Sequence, residues 1–85
     1  MKWGLIVTSA ASRGLRRASP HDRARINDIF GELCVEPYAG DFKQLRGTDR
    51  GYRRRVGDWR ILFDLDTERR LVVILAVKRR DSKTY

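Results

Sequence analysis

The sequence predicts an α+β domain with the element order β-α-α-β-β-β, in which two N-terminal helices pack on a mostly antiparallel four-stranded sheet. Apolar residues recur at helical spacing in the first half, and β-prone runs fill most of the second half. Gly57-Asp58 separates two of these runs and is a hairpin signal. The 85 residues, of which 41% are hydrophobic, are enough for one domain spanning residues 1–85 with a packed core.

The first half of the chain predicts one strand and two helices. Residues 3–8 are a short β-prone run, and Ser9 is the expected N-cap of a helix that continues to about Arg17. Ser19 and Pro20 are typical of the N-cap and the first position of a second helix. That helix carries one apolar stripe that is expected to face the core, formed by Ile26, Ile29, Phe30, Leu33 and Cys34.

The second half predicts three strands after a loop at residues 36–41. A two-residue turn at Gly57-Asp58 and a polar turn at residues 66–69 separate them, and the strands are Tyr52–Val56, Trp59–Leu65 and Leu71–Val77. The last strand is almost continuously apolar. This composition is typical of a strand that is buried on both faces at the centre of a sheet.

The charge balance points to a polyanionic partner. Nineteen Lys and Arg residues against eleven Asp and Glu residues give a net charge of +8. Residues 43–85 carry thirteen basic and six acidic side chains, so they hold nearly all of this excess. Nucleic acid is the commonest polyanion inside cells and is therefore the expected class of ligand.

The same composition argues against several other classes of protein. Cys34 is the only cysteine and His21 the only histidine, so neither a disulfide framework nor a conventional metal site is expected. No apolar run approaches the ~20 residues of a membrane span, and the start of the chain lacks the features of a signal peptide. We therefore expect a cytoplasmic protein without a metal or cofactor.

Strand alternation gathers arginines on one face of the predicted hairpin. The two-residue turn places Arg55 directly opposite Arg60, and Arg53 extends the same stripe. Two opposed cations repel each other and cost up to about 1 kcal/mol of sheet stability. The arrangement becomes favourable if an anion lies between the two guanidinium groups. The last strand then ends in three cations that are expected beside this stripe, Lys78, Arg79 and Arg80.

Basic residues on an exposed sheet face also have a simpler interpretation, because such residues often serve only solubility. The opposed pair and the cationic strand end, taken together, favour a binding site. Tyr85 can stack on an exposed base beside that site, or it can be a frayed terminal residue.

Six segments follow one another along the chain in a distinctive order: residues 9–15, Ser19-Pro20, Arg25-Ile26, Lys43-Gln44-Leu45-Arg46-Gly47, residues 52–63 and residues 77–85. In that order they resemble the RelE/ParE toxin superfamily, and more specifically its RelE-like messenger-RNA endonucleases. The resemblance covers essentially the whole chain. It implies a RelE-like fold and a toxin of a type II toxin–antitoxin pair. It further implies that the toxin cleaves mRNA in the ribosomal A site, inhibits translation, and is wrapped and neutralised by a cognate antitoxin.

By position, the resemblance implies a catalytic set at Arg53, Arg55, Arg60, Arg79 and Tyr85, and further RNA contacts at Lys43, Arg46, Lys78, Arg80 and Lys83. In such a reaction the 2′-hydroxyl of the RNA attacks the phosphate without a metal, and the protein orients it, stabilises the developing charge and assists proton transfer. The family often has lysine where this chain has Arg53 and Arg55. Because arginine keeps its proton, the sequence identifies no general base.

Two other functions fit the same sequence. A ParE-like toxin that poisons DNA gyrase shares the fold, although that branch generally lacks the clustered basic residues and the tyrosine. A non-catalytic RNA-binding or ribosome-binding module fits the charge but forms no product. Breaks in ribosome-bound mRNA distinguish the endonuclease from both alternatives.

Overall fold

A computed structural model of the chain describes residues 2–38 and 51–79 in full and the backbone of residues 42–44. Within these residues the chain forms five strands and two helices. In chain order they are β1 (Gly4–Val7), α1 (Ser9–Arg16), α2 (Pro20–Val35), β2 (Phe42–Gln44), β3 (Gly51–Val56), β4 (Trp59–Asp66) and β5 (Leu71–Arg79).

The strands form one sheet in the order β1-β5-β4-β3-β2. β1 pairs with β5 in parallel, and the other neighbouring strands pair antiparallel. The α+β class, the two helices and the four predicted strands are therefore confirmed. β2 adds a short fifth strand at the edge, and its three residues are too few to show a strand pattern in the sequence.

Both helices pack on the same face of the sheet, here called the helix face; the other is the open face. The core between the helices and the sheet is built from apolar side chains of both helices and of the strands β3 to β5. Its largest fully buried members are Phe63, Ile26, Leu33, Ile61, Ile74 and Val72. Ile26, Phe30 and Leu33 are buried members of the predicted stripe on α2. Ile29 packs half-buried against the same core.

β5 lies inside the sheet between β1 and β4, as predicted, but it is not buried on both faces. Val72, Ile74 and Val77 are buried on the helix face, whereas Leu75 is 41% exposed. The expectation of a strand covered on both sides is therefore wrong. The physical reason is that both helices occupy one side of the sheet, so neither of them covers the open face.

Thr8, and not the predicted Ser9, caps α1. The Oγ1 atom of Thr8 accepts a hydrogen bond from the backbone N–H of Ala11 at 3.3 Å and donates one to the carbonyl oxygen of Ile74 at 2.8 Å. One hydroxyl thus satisfies a free amide of the helix and ties the helix to β5. The predicted cap of α2 is confirmed, because Ser19 accepts from the backbone N–H of Asp22 at 3.1 Å.

We expect Thr8→Ala to lower the free energy of unfolding by about 1–2 kcal/mol, because it removes a helix cap and a hydrogen bond to β5. Ser9→Ala is the matched control, since Ser9 is exposed and already lies within the helix. Urea unfolding of the two variants measures the difference. An equal loss of stability in both would contradict the assignment of the cap.

Candidate nucleic-acid interface

The β3–β4 hairpin has the predicted register. Val56 pairs with Trp59, and Arg55 pairs with Arg60. Gly57 begins the two-residue turn with a φ of 57°, a conformation that glycine adopts without the steric cost of a side chain. The turn therefore fixes which side chains of β3 and β4 share a face.

Three cations lie side by side across three adjacent strands of the open face. Arg60 pairs with Arg55 on β3 and with Lys78 on β5. Directly paired residues project to the same side of a sheet with Cβ atoms roughly 5 Å apart, so this cation row (Arg55, Arg60 and Lys78) spans about 10 Å. Arg53 lies two residues from Arg55 and belongs to the same face.

Arg60 is the middle residue of the cation row and has an unsatisfied donor. Its Nε atom is shielded from solvent and has no hydrogen-bond partner among the described residues. A buried donor without a partner costs about 1–3 kcal/mol. Neighbouring cations cannot satisfy it because they are donors themselves. A ligand that carries anionic oxygens can satisfy it if the Arg60 side chain turns outward on binding, because the Nε atom is closed to solvent in this structure.

Along β4, the open face carries a cation at one end and carboxylates at the other. Strand alternation gives this face Arg60, Leu62, Asp64 and Asp66 in succession. Asp64 lies four residues from Arg60, which corresponds to about 13 Å along a strand. The two carboxylates of β4 therefore lie at the end of the face opposite the cation row.

A β-bulge decides which cation of β5 joins the row. Leu62 pairs with Ala76 and Phe63 pairs with Ile74, so Leu75 is the extra residue between them. The bulge reverses the alternation of side chains beyond Leu75. As a result Lys78 pairs with Arg60 on the open face.

Arg79 therefore belongs to the other face. It pairs with Trp59, which in turn pairs with Val56, and both of these side chains are buried on the helix face. The expectation that Arg79 lies beside the stripe of Arg53, Arg55 and Arg60 is therefore wrong. Lys78, predicted only as an additional RNA contact, takes that position.

The remaining predicted site residues lie partly or wholly outside the described residues. The backbone of Lys43 pairs with that of Arg53, which places β2 beside the strand that carries two of the predicted arginines. Four further predicted residues fall outside the described part of the chain: Arg46, Arg80, Lys83 and Tyr85.

Two polar contacts connect α2 to the β3–β4 hairpin. The indole Nε1 of Trp59 donates a hydrogen bond to Oδ2 of Asp22 at 3.1 Å. The buried Arg54 forms an ion pair with Glu32, with 2.9 Å between Nη2 and Oε1. Both contacts use the helix face of β3 and β4, so they orient the strands and leave the cation row accessible on the open face.

Other reactive groups in the described residues do not form a second centre. Burial raises the pKa of the Cys34 thiol, which disfavours the nucleophilic thiolate. No group of three or more His, Cys, Asp and Glu side chains in the described segments is arranged to hold a metal ion. Neither of the two described helices combines the length and the apolar character required to cross a membrane.

This fold is shared by small proteins from toxin–antitoxin systems. One chain of the toxin–antitoxin complex RelBE2 of Mycobacterium tuberculosis is 31% identical; the match covers 94% of this chain and 100% of that chain, with a TM-score of 0.83. The RelE–RelB complex of Pyrococcus horikoshii has the same fold, with 23% identity over 96% of this chain and 99% of that chain and a TM-score of 0.84.

The sequence itself matches a family model. The model describes the ParE toxin of type II toxin–antitoxin systems and matches residues 5–83. The chain belongs to this family, within the RelE/ParE superfamily, and is a RelE-like toxin of a type II toxin–antitoxin system. A curated protein of Methanocaldococcus jannaschii that carries the name RelE1 is 24% identical over 84 residues, which cover 95% of this chain and 93% of the relative.

Proposed function

We propose that this toxin is an endoribonuclease that cleaves mRNA in the ribosomal A site and thereby stops translation. The observation that carries the proposal is the cation row, with three opposed cations on adjacent strands and an unsatisfied, shielded donor on the middle one. Opposed cations destabilise a sheet because they repel each other, and a bound phosphate offsets that repulsion.

The chemistry that fits this site uses the 2′-hydroxyl of the substrate as nucleophile. Its attack on the adjacent phosphate forms a pentavalent phosphorane and then a 2′,3′-cyclic phosphate and a free 5′-hydroxyl. In this proposal Arg60 binds the phosphate, and Arg53 and Arg55, which lie beside it on β3, flank the phosphate. Preorganised donors of this kind stabilise the additional negative charge of the transition state.

The resemblance supplies the outer members of the proposed site. Tyr85 completes the proposed catalytic set. Four other cations extend the contact with RNA along the backbone of the message: Lys43, Arg46, Arg80 and Lys83.

The ribosome provides the part of the site that the domain does not supply. The cation row lies on a sheet face that neither helix covers, so this face gives little restraint on the conformation of a flexible RNA. Holding the message in the A site aligns the 2′-oxygen with the scissile bond, which is the source of most of the rate in such an intramolecular reaction. Action on ribosomes also places the protein in the cytoplasm.

Primer extension on mRNA from cells that express the toxin tests the proposal. We expect defined breaks within translated reading frames, because the cut is made where the A site holds the message. Cells that express Arg60→Ala should show intact mRNA. Arrest of growth with intact message in wild-type-expressing cells would contradict the proposal.

A second candidate function has one specific observation in its favour, namely that the matching family model describes ParE toxins. A ParE-like toxin acts on DNA gyrase and leaves breaks in double-stranded DNA. The same cells therefore distinguish the two functions, since chromosome breaks with intact mRNA indicate gyrase poisoning. If neither kind of break is found, the protein is a module that only binds RNA.

We further propose a cognate antitoxin with an apolar segment and an acidic one. The relative from M. tuberculosis was solved in a toxin–antitoxin complex. In this chain, β1 forms an edge of the sheet and exposes Leu5, Ile6 and Val7 by 36–44%. Acidic residues of the partner offset the charge of +8. Co-expression with the small protein encoded beside the toxin should restore growth, and the two proteins should purify together.

A further inference from the structure

We propose that Lys78 is the general acid of the cleavage reaction, the group that gives its proton to the leaving 5′-oxygen. The inference rests on the proposed function. It assigns a proton-transfer role to Lys78, for which the resemblance implies only a contact with RNA.

The position of Lys78 is the first argument. The bulge at Leu75 places Lys78 opposite Arg60, on the face that also carries Arg53 and Arg55. Arg79 pairs with Trp59, which is buried on the helix face, so strand alternation assigns Arg79 to that face. A phosphate bound by Arg60 therefore has Lys78 as its neighbour on the β5 side and Arg55 as its neighbour on the β3 side.

The chemistry of the side chain is the second argument. A guanidinium group stays protonated at any pH at which proteins fold, so an arginine can stabilise charge but is a poor proton donor. A lysine ammonium carries three protons and can give one to an alkoxide. Lys78 is the one lysine of the cation row, and it therefore holds the only readily transferable proton there.

The surroundings of Lys78 leave its ammonium available. It is exposed, and the described residues give it no hydrogen bond or ion pair. The groups that face it from neighbouring strands are the guanidinium of Arg60 on β4 and, beyond it, that of Arg55 on β3. The carboxylates of this face, Asp64 and Asp66, lie at its other end.

The 2′-oxygen forms a bond to phosphorus while its proton passes to water, and the bond between phosphorus and the 5′-oxygen breaks. The 5′-oxygen leaves with the electron pair of that bond and takes a proton from Nζ of Lys78. The amine then recovers a proton from solvent. The products are a 2′,3′-cyclic phosphate and a 5′-hydroxyl, and no oxidant or reductant takes part.

A substrate with a sulfur leaving group tests this role. One mRNA carries sulfur in place of the 5′-bridging oxygen at the wild-type cleavage position. Its leaving group is a thiolate, which needs no proton because a thiol ionises at about pH 8.5. Lys78→Arg keeps the positive charge but removes the proton donor. We expect Lys78→Arg and Lys78→Ala to cleave ordinary mRNA on ribosomes about 100-fold or more slowly than wild type. On the sulfur-containing mRNA both should come within a few-fold of wild type.

Several outcomes would overturn the assignment. Equal losses on both substrates would mean that Lys78 only binds the message. An unimpaired Lys78→Arg on ordinary mRNA would show that position 78 needs only a positive charge and donates no proton. If the sulfur-containing mRNA restored cleavage by Arg79→Ala but not by the Lys78 variants, Arg79 would be the acid. A wild-type protein that cleaves neither mRNA on ribosomes would instead refute the endonuclease function itself. Arg69→Ala, a change of an exposed cation in the turn before β5, controls for the loss of charge.

Discussion

Replacing Arg60 with threonine is expected to slow mRNA cleavage by about 100- to 1,000-fold, the usual cost of losing one preorganised donor. The same change should not lower the free energy of unfolding. It removes a cation from between Arg55 and Lys78 and a shielded Nε that lacks a partner. Relief of the repulsion should stabilise the sheet by up to about 1 kcal/mol, and threonine suits a strand.

The combination of lost activity and retained stability separates a functional residue from a structural one. Single-turnover cleavage on programmed ribosomes and urea unfolding measure the two quantities on the same protein. Arg69→Thr changes the net charge equally at an exposed site and should alter neither. A variant of Arg60 that unfolds more easily and still cleaves at the wild-type rate would show that Arg60 supports the fold and not the reaction.

Replacing Gly14 with alanine is expected to destabilise the protein by about 3 kcal/mol, a large fraction of the stability of a domain this small. A Cβ atom on Gly14 would overlap the backbone carbonyl oxygen of Val77. α1 would then have to move away from β5 immediately before Lys78. The loss of stability should therefore be accompanied by weaker cleavage.

Gly31 provides the matched control for this substitution. It also lies in a helix, but a Cβ atom there meets nothing within 4 Å. Gly31→Ala should raise the free energy of unfolding by about 1 kcal/mol, because alanine is the better helix former. Denaturant unfolding of both variants gives the comparison. If both changes shifted stability in the same direction, the close packing of α1 on β5 would be disproved.

The register of the β3–β4 hairpin could be predicted from the sequence because two local signals agree. Gly57-Asp58 fixes the loop length, and alternation on either side of it separates Arg55 from the buried Arg54 and Val56. The pairing of Arg55 with Arg60 follows from these signals alone. The centre of the candidate site is therefore predictable from the sequence alone.

The face to which Lys78 and Arg79 belong could not be predicted in the same way. Residues 71–77 are all apolar, so they show no alternation that would locate a shift of register, and no glycine marks the bulge. The bulge at Leu75 is a tertiary feature of the pairing between β4 and β5. One unpaired residue there exchanges the faces of the two cations.

The N-cap residue of α1 could not be predicted from the local sequence either. Thr8 and Ser9 are both good capping residues, and their order in the sequence does not decide between them. Thr8 is selected by its second hydrogen bond, to the carbonyl oxygen of Ile74 on a strand 66 residues away. Such a long-range contact has no local signature.

The most direct test of the cation row as a cleavage site is to incubate the purified toxin with end-labelled mRNA, with and without ribosomes, and to identify the new termini. We expect a single cut in the A-site codon only when ribosomes are present, with a 2′,3′-cyclic phosphate on one fragment and a 5′-hydroxyl on the other. An uncut message on toxin-saturated ribosomes, or fragments that end in a 5′-phosphate, would contradict the account.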